Sequence, residues 1–459
     1  MLRGVDQSRP TARQRISETT ATDDRTRTSD DAGRTSDDAG RTSADDRRRD
    51  SAGGAVIRGA IRSAASELRR LRGDGRGRIL LVIALGWGVT IGGRTVYPAL
   101  LPQLRTTYGL DLATAGLLLS VLFAAYALGQ LPGGVLADRV GERSTLTLSA
   151  SVSAGALLFV VVSRSTAALF VATGAFGFAV GFYAIARFTA IARTYPEGYG
   201  TAIGLSNAAP EVGQAVVPPV AGLIAVTAGW RVGFGAVIPV LGVVAIGLWL
   251  LVPSQPPDRT SAVDSLTADT LRYVTDALRR PPVVLGTVAL VLGISVWQAF
   301  TGFYPTYLVE SKGLSALAAN TLFGLYFATT ALVHPLSGVI YDRLNVRYTY
   351  LPVVVAAVGL AALPIVESVW GLAVVSVLLG GLLGFETSTE SYLVAELPAD
   401  AEGTGFGILR TTVFAIGAGS PVAFGAIADR GFFDELFVAL GVIAGVAALV
   451  ATRLPDVEG

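Results

Sequence analysis

The chain has 459 residues, of which 51% are hydrophobic and only 15% charged, where a soluble domain carries about 25%; there is too little polar surface to clothe a globule in water. A formal net charge of +1 says nothing about nucleic acid. With no cysteine and a single histidine, His334, the chain cannot build a disulfide, a zinc cluster or a nucleophile–base constellation, so neither an enzyme nor a cofactor is expected.

Residues 1–54 are rich in Arg, Asp, Ser and Thr, and RTSDDAG recurs in them at Arg27–Gly33 and Arg34–Gly40. No position of that heptad is large and apolar, so a coiled coil has nothing to bury and a disordered tail is expected. It lacks the apolar core of a signal peptide. With Met1 the only methionine, it also reads as an extension upstream of the functional start. Residues 55–78 set Val56, Ile57, Ala60, Ile61, Ala64, Ala65, Leu68 and Leu71 at helical spacing among arginines. This is a basic amphipathic helix on the membrane surface or a charged lead-in to the first span, and either reading places it on the cytoplasmic side.

A helix needs about 20 apolar residues to cross a bilayer. Segments that qualify lie near 79–101, 112–136, 145–163, 166–190, 200–227 and 232–252, then 282–309, 315–340, 348–366, 369–394, 403–428 and 432–452. The prediction is an all-α membrane protein of twelve transmembrane helices in two six-helix halves, 79–252 and 282–453. Residues 253–281 form the cytoplasmic loop between them, with a short surface helix through Leu266, Leu271, Val274 and Leu278. Arginine placement sets the sides: Arg139, Arg143, Arg193, Arg259, Arg272, Arg279, Arg280, Arg343, Arg347 and Arg453 fall on one face, but only Arg105, Arg164, Arg231, Lys312 and Arg430 on the other. The positive-inside bias predicts both termini inside, in the cell membrane.

The stretch GVLADRVGER at 134–143 returns as GVIYDRLNVR at 338–347. Gly200-Thr201, Gly204 and Pro218 return as Gly403-Thr404, Gly407 and Pro421 at an offset of 203, and Tyr97-Pro98 returns as Tyr304-Pro305. Repeating an even number of helices keeps the orientation, so the halves are related by an axis along the membrane normal. On these residues the chain resembles the major facilitator superfamily over 79–453. GGVLADRVGER is similar to that family's signature between helices 2 and 3, and GWRVGF at 229–234 to its start of helix 6. The fifth segment resembles the family's antiporter pattern through Gly204, Gly213, Pro218 and Gly222, with Val217 and Ala221 in place of two glycines. Asn345 departs from the Gly141 of the first copy, and Thr173 stands where an arginine is common early in helix 4.

The resemblance implies a secondary active transporter working by alternating access on a small-molecule substrate. It also implies a latch on the cytoplasmic side built from Gly134, Asp138, Arg139 and Arg143, with Asp342, Arg343 and Arg347 in the second copy. Gly134 is expected to let two helices approach closely. A positive-inside anchor is the plainer reading of the same arginines.

Ionisable groups at membrane depth cost roughly 2.5–3.5 kcal/mol each, so each is a functional candidate. Arg94, preceded by glycines in GWGVTIGGRTVYPALLP, can grip a carboxylate or phosphate. Glu386 and Glu390 lie four apart on one helix face, and Glu390 is the pseudo-symmetric counterpart of Arg187, which suggests a bridge across the cavity. Arg410, in the inner third of the eleventh segment, is a second partner for Glu390 and is grouped with the gating residues. Desolvation penalises a carboxylate's charged form, which lets a buried one exchange a proton; Glu211, Glu386 and Glu390 are the proton-coupling candidates. Arg94, Tyr97, Arg187, Trp297 and Gln298 are the substrate-binding candidates. His334 reads as interfacial. Trp87, Tyr183, Phe303, Tyr304, Tyr326 and Tyr392 are further aromatics able to line a path.

No GxxxxGK[ST] loop is present to use ATP, so the proton gradient is the expected driving force. The arginines favour an anionic organic solute, whereas Glu211, Glu386 and the helix 5 pattern favour proton-driven export of drugs or metabolites. A non-transporting membrane sensor is the remaining alternative. The expected partners are the substrate, protons and the lipid bilayer, with no nucleic acid, and the chain is expected to act as a monomer.

Overall fold

The structure is a computed structural model, which describes residues 76–196, 199–254, 276, 278–343, 346–397 and 402–455. The expected tail 1–54, most of the basic segment and most of the central loop with its surface helix lie outside the described residues. Among the described residues, twelve apolar helices are long enough to span a bilayer: α1 (Arg76–Ala99), α2 (Leu112–Val140), α3 (Glu142–Val162), α4 (Thr166–Thr194), α5 (Tyr199–Ala228) and α6 (Trp230–Leu251) form one half. The other half is α7 (Pro281–Glu310), α8 (Ala316–Arg343), α9 (Val346–Ile365), α10 (Val369–Glu396), α11 (Gly405–Ala428) and α12 (Phe433–Ala451). The described residues contain no strand.

Local chemistry sets the boundaries. Asp111 caps α2, its carboxylate accepting from the Thr114 N–H at 2.7 Å; that hydrogen bonding holds the carboxyl below the usual aspartate range. Ser165 and Ser368 cap α4 and α10 in the same way. Between α2 and α3 the chain turns on Gly141 at φ +84°, which L side chains rarely adopt; this accounts for the third glycine of GGVLADRVGER.

Glycines also set how closely helices cross. A Cβ on Gly129 would lie 2.3 Å from the Phe178 carbonyl oxygen, and one on Gly133 2.5 Å from the Phe182 Cα, so α2 and α4 touch backbone to backbone. Gly134 does not serve this purpose: its Cβ would meet only the Ile185 Cγ2, at 3.3 Å. The expectation for Gly134 is corrected by one position, because a step along a helix turns the side chain by about 100°.

The halves meet most closely at the face opposite the one where α1 begins and α12 ends. There Asp429 accepts hydrogen bonds from the Leu112 and Ala113 N–H groups at 2.8 and 2.7 Å, so a side chain of one half caps the first helical turn of α2 in the other. The Val422 N–H donates to the Ser120 Oγ at 3.1 Å, and Arg105 pairs with Glu310. Added Cβ atoms on Gly116 and Gly425 would fall 2.3 and 2.1 Å from the carbonyl oxygens of Pro421 and Leu112.

Asp429→Ala removes both N–H acceptors. Asp429 is exposed, so we expect a shift of only about 1–2 kcal/mol, raising the population open at this face about 5- to 30-fold. The chain is free of cysteine, so spin labels at Thr106→Cys and Glu435→Cys read the distance across this seam directly.

Candidate functional site

Between the halves, on the other side of this seam, lies a cavity of about 150 Å³ lined from α1, α2, α4 and α5 of one half and α7, α8, α10 and α11 of the other. Three arginines and three glutamates face it. So much charge in so small a space between apolar helices marks a binding site rather than a packing defect.

Arg94 is only 5% exposed, and its guanidinium carbon lies 5.4, 5.0 and 5.4 Å from the ring centroids of Phe123, Tyr126 and Trp297. Rings from both halves therefore surround it. It forms no ion pair with a described residue, and its Nε has no hydrogen-bond partner. An arginine with ring faces around it and no carboxylate within ion-pair distance has free donors for an incoming anion.

Arg187 donates to the Ser206 Oγ at 3.1 Å and lies against the rings of Trp87 and Phe188. The expected bridge from Arg187 to Glu390 is not formed. Glu390 pairs with Arg410 of its own half, both partly buried. Neighbouring helices bring these two together, whereas Arg187 lies across the cavity. Arg410 therefore sits on the cavity wall.

Glu386 faces the cavity from an interrupted helix. Sequence reading gives one continuous tenth span, but α10 is helical over Val369–Leu379, tightens to a 3-10 turn over Gly380–Leu383, and resumes at Glu386–Glu396. Glu386 thus occupies the first turn of the lower piece, where N–H groups without intrahelical partners favour an anion. It makes no ion pair with a described residue. The glycines Gly380, Gly381 and Gly384 were the legible signal for the break.

Glu211 is 6% exposed, and its Oε1 lies 3.8 Å from the Nδ1 of His334 on α8. His334 is therefore a cavity residue, which corrects its reading as interfacial; Tyr326, Thr330, His334 and Ser337, at spacings of four, four and three, form the polar stripe on α8 that could have shown its direction. Asn207 and Gln214 flank Glu211 on the same face of α5 and were missed, although spacings of four and three residues in an otherwise apolar helix mark them.

Two substrate-binding candidates do not reach the cavity. Tyr97 is fully buried between Phe176 and Phe234, inside its own half. Gln298 is also fully buried, with its amide against Gly417, while the preceding Trp297 lines the cavity. Trp87 lines it too, but Tyr183, Phe303, Tyr304, Tyr326 and Tyr392 do not.

At the far end of α2, Asp138 is half-buried and Arg139 exposed. Arg143 lies flat on Trp249 of α6, 4.0 Å from its ring centroid, and Glu142 pairs with Arg193 of α4 at 3.1 Å. Arg347 is half-buried at the start of α9. The side chains of Asp342 and Arg343 lie outside the described ones.

Two six-helix halves around a charged central cavity define a multi-pass membrane transporter. The chain belongs to the Major Facilitator Superfamily, whose sequence model matches residues 82–421. It is 28% identical over 404 residues to the probable sulfoacetate transporter SauU of Cupriavidus necator, covering 82% of this chain and 93% of that protein. It is 25% identical over 407 residues to the hexuronate transporter of Bacillus subtilis, covering 82% of this chain and 93% of that protein. Among solved structures it resembles a bacterial homologue of the human lysosomal transporter Spinster in an inward-facing and unoccupied conformation. The TM-score is 0.70 at 17% identity, over 83% of this chain and 96% of that one.

Proposed function

We propose that this transporter moves a small organic anion across the cell membrane by alternating access, driven by protons. The observation that carries the reading is Arg94, held by rings of both halves without a carboxylate partner. Arg187 and Trp297 complete the anion's surroundings, and Glu211 and Glu386 are the candidates to carry the coupling proton. Glu390 is held by Arg410 as a structural pair. In support, the relatives above are named for sulfoacetate, a dianion, and hexuronate, a hydroxylated carboxylate. The arginine distribution favours both termini on the cytoplasmic side, and there Asp138, Arg139, Arg143, Asp342, Arg343 and Arg347 latch the halves when the cavity faces outward. The unit is a monomer, with halves 79–252 and 282–453 joined by the loop 253–281.

Thermal stabilisation of the purified protein by sulfoacetate or glucuronate tests this. Loss of charge-assisted hydrogen bonds in Arg94→Gln is expected to weaken binding about 10- to 100-fold. Stabilisation by a hydrophobic cation such as tetraphenylphosphonium instead, abolished by Glu386→Gln, would make the protein an exporter and Arg94 a structural residue.

A further inference from the structure

The formal charges on the cavity wall balance: Arg94, Arg187 and Arg410 stand against Glu211, Glu386 and Glu390. On the anion reading above, a bound monoanion leaves one uncompensated negative charge in a desolvated space, which is costly. A proton is the smallest ion that restores neutrality, and the structure offers it a place between the halves. We propose that Glu211 and His334 together form a proton-binding site bridging α5 and α8, filled when an anion occupies Arg94.

The geometry supports it. The Nδ1 to Oε1 distance of 3.8 Å is within ion-pair range but too long for a hydrogen bond, so neither group is committed to the other. The His334 Nε2 and one Glu211 oxygen, Oε2, are both buried and have no hydrogen-bond partner. A proton on the ring turns this contact into a charge-assisted pair between helices of opposite halves.

The surroundings make the site responsive. Charged groups face the pair from every side: Arg94 on α1, Arg187 on α4, Glu386 and Glu390 on α10 and Arg410 on α11, all lining the same cavity, with the Tyr326 hydroxyl buried on α8 itself. The glutamates favour an imidazolium there and the arginines oppose it. An anion on Arg94 cancels part of that opposition, so anion and proton each raise the affinity for the other by the same factor. Glu211 lies on one half and His334 on the other, so the proton also reports to the interface that must rearrange during transport.

His334 is the only histidine, so protein labelled with nitrogen-15 histidine gives one set of ring signals. In nanodiscs near neutral pH, saturating glucuronate is expected to convert the wild-type signals from neutral imidazole to imidazolium and to leave those of Glu211→Gln neutral. Proton uptake per bound glucuronate, from calorimetry in two buffers of different ionisation enthalpy, falls from about one to near zero in His334→Gln. A wild-type ring that stays neutral with glucuronate bound overturns the proposal.

If glucuronate and sulfoacetate both fail to bind, the anion reading falls, and acidification without any anion decides the pair alone. From about pH 8 to about pH 5.5, a range that brackets free histidine, the wild-type ring converts and the Glu211→Gln ring does not. Identical behaviour of the two overturns the site whatever the substrate.

Discussion

Arg410→Gln is expected to cost the folded protein about 3–5 kcal/mol, and adding Glu390→Gln to return most of it. Removing one partner of a buried ion pair leaves the other charge desolvated and uncompensated, whereas removing both leaves two neutral amides of similar shape. The two side chains are 22% and 16% exposed, so some solvent reaches them and the lower end of the range is the better figure. Thermal midpoints of the two single variants and the double variant form a cycle, with an expected coupling of about 2 kcal/mol or more. The same double variant separates two roles for Glu390. If the pair is structural, the refolded double variant still transports; if it opens and closes with each turnover, the double variant folds and transport is lost.

That pair shows where sequence reasoning stopped. The twelve spans were legible to within a few residues, as at 112–136 against Leu112–Val140 and 369–394 against Val369–Glu396, because length, hydropathy and caps such as Asp111 and Ser368 are local properties. The charged residues at membrane depth were legible for the same reason, and Arg94, Arg187, Glu211, Glu386, Glu390 and Arg410 do share one cavity. Their partners were legible only in part: Arg410 stood as the second candidate for Glu390 and is its partner, whereas the approach of His334 to Glu211 was missed. An offset of 203 residues pointed Glu390 at Arg187 by symmetry, but the rotation of α10 and α11 within one half presents Arg410 first. Helix rotation also separates Trp297, on the cavity, from Gln298, buried against Gly417. A single sequence of nearly uniform hydropathy does not encode that rotation, since lipid-facing and packed surfaces are equally apolar.

The other large effect belongs to Gly213. A Cβ built there would lie 2.0, 2.6 and 3.1 Å from the carbonyl oxygen, carbonyl carbon and Cα of Gly88. All three atoms are backbone, so no side chain can swing aside, and α1 and α5 must part by more than an ångström. Both helices carry the site: Arg94 stands six residues beyond Gly88, and Glu211 two residues before Gly213. Gly213→Ala is therefore expected to cost about 3 kcal/mol or more, the upper end for overpacking, and to loosen both the ring cage around Arg94 and the approach of Glu211 to His334. Gly213→Val should leave little monodisperse protein in size-exclusion chromatography. Gly204 is the control. It shares α5 and the same glycine pattern, but a Cβ there meets nothing within 4 Å. Gly204→Ala should match the wild type or gain up to about 1 kcal/mol from helix propensity. If the two alanine variants have equal thermal midpoints, backbone contact between α1 and α5 is not what sets the cavity. If only Gly213→Ala falls, this glycine is required by geometry within the site itself: it fixes how far Arg94 stands from Glu211, and with that the strength of any coupling between the anion and the proton.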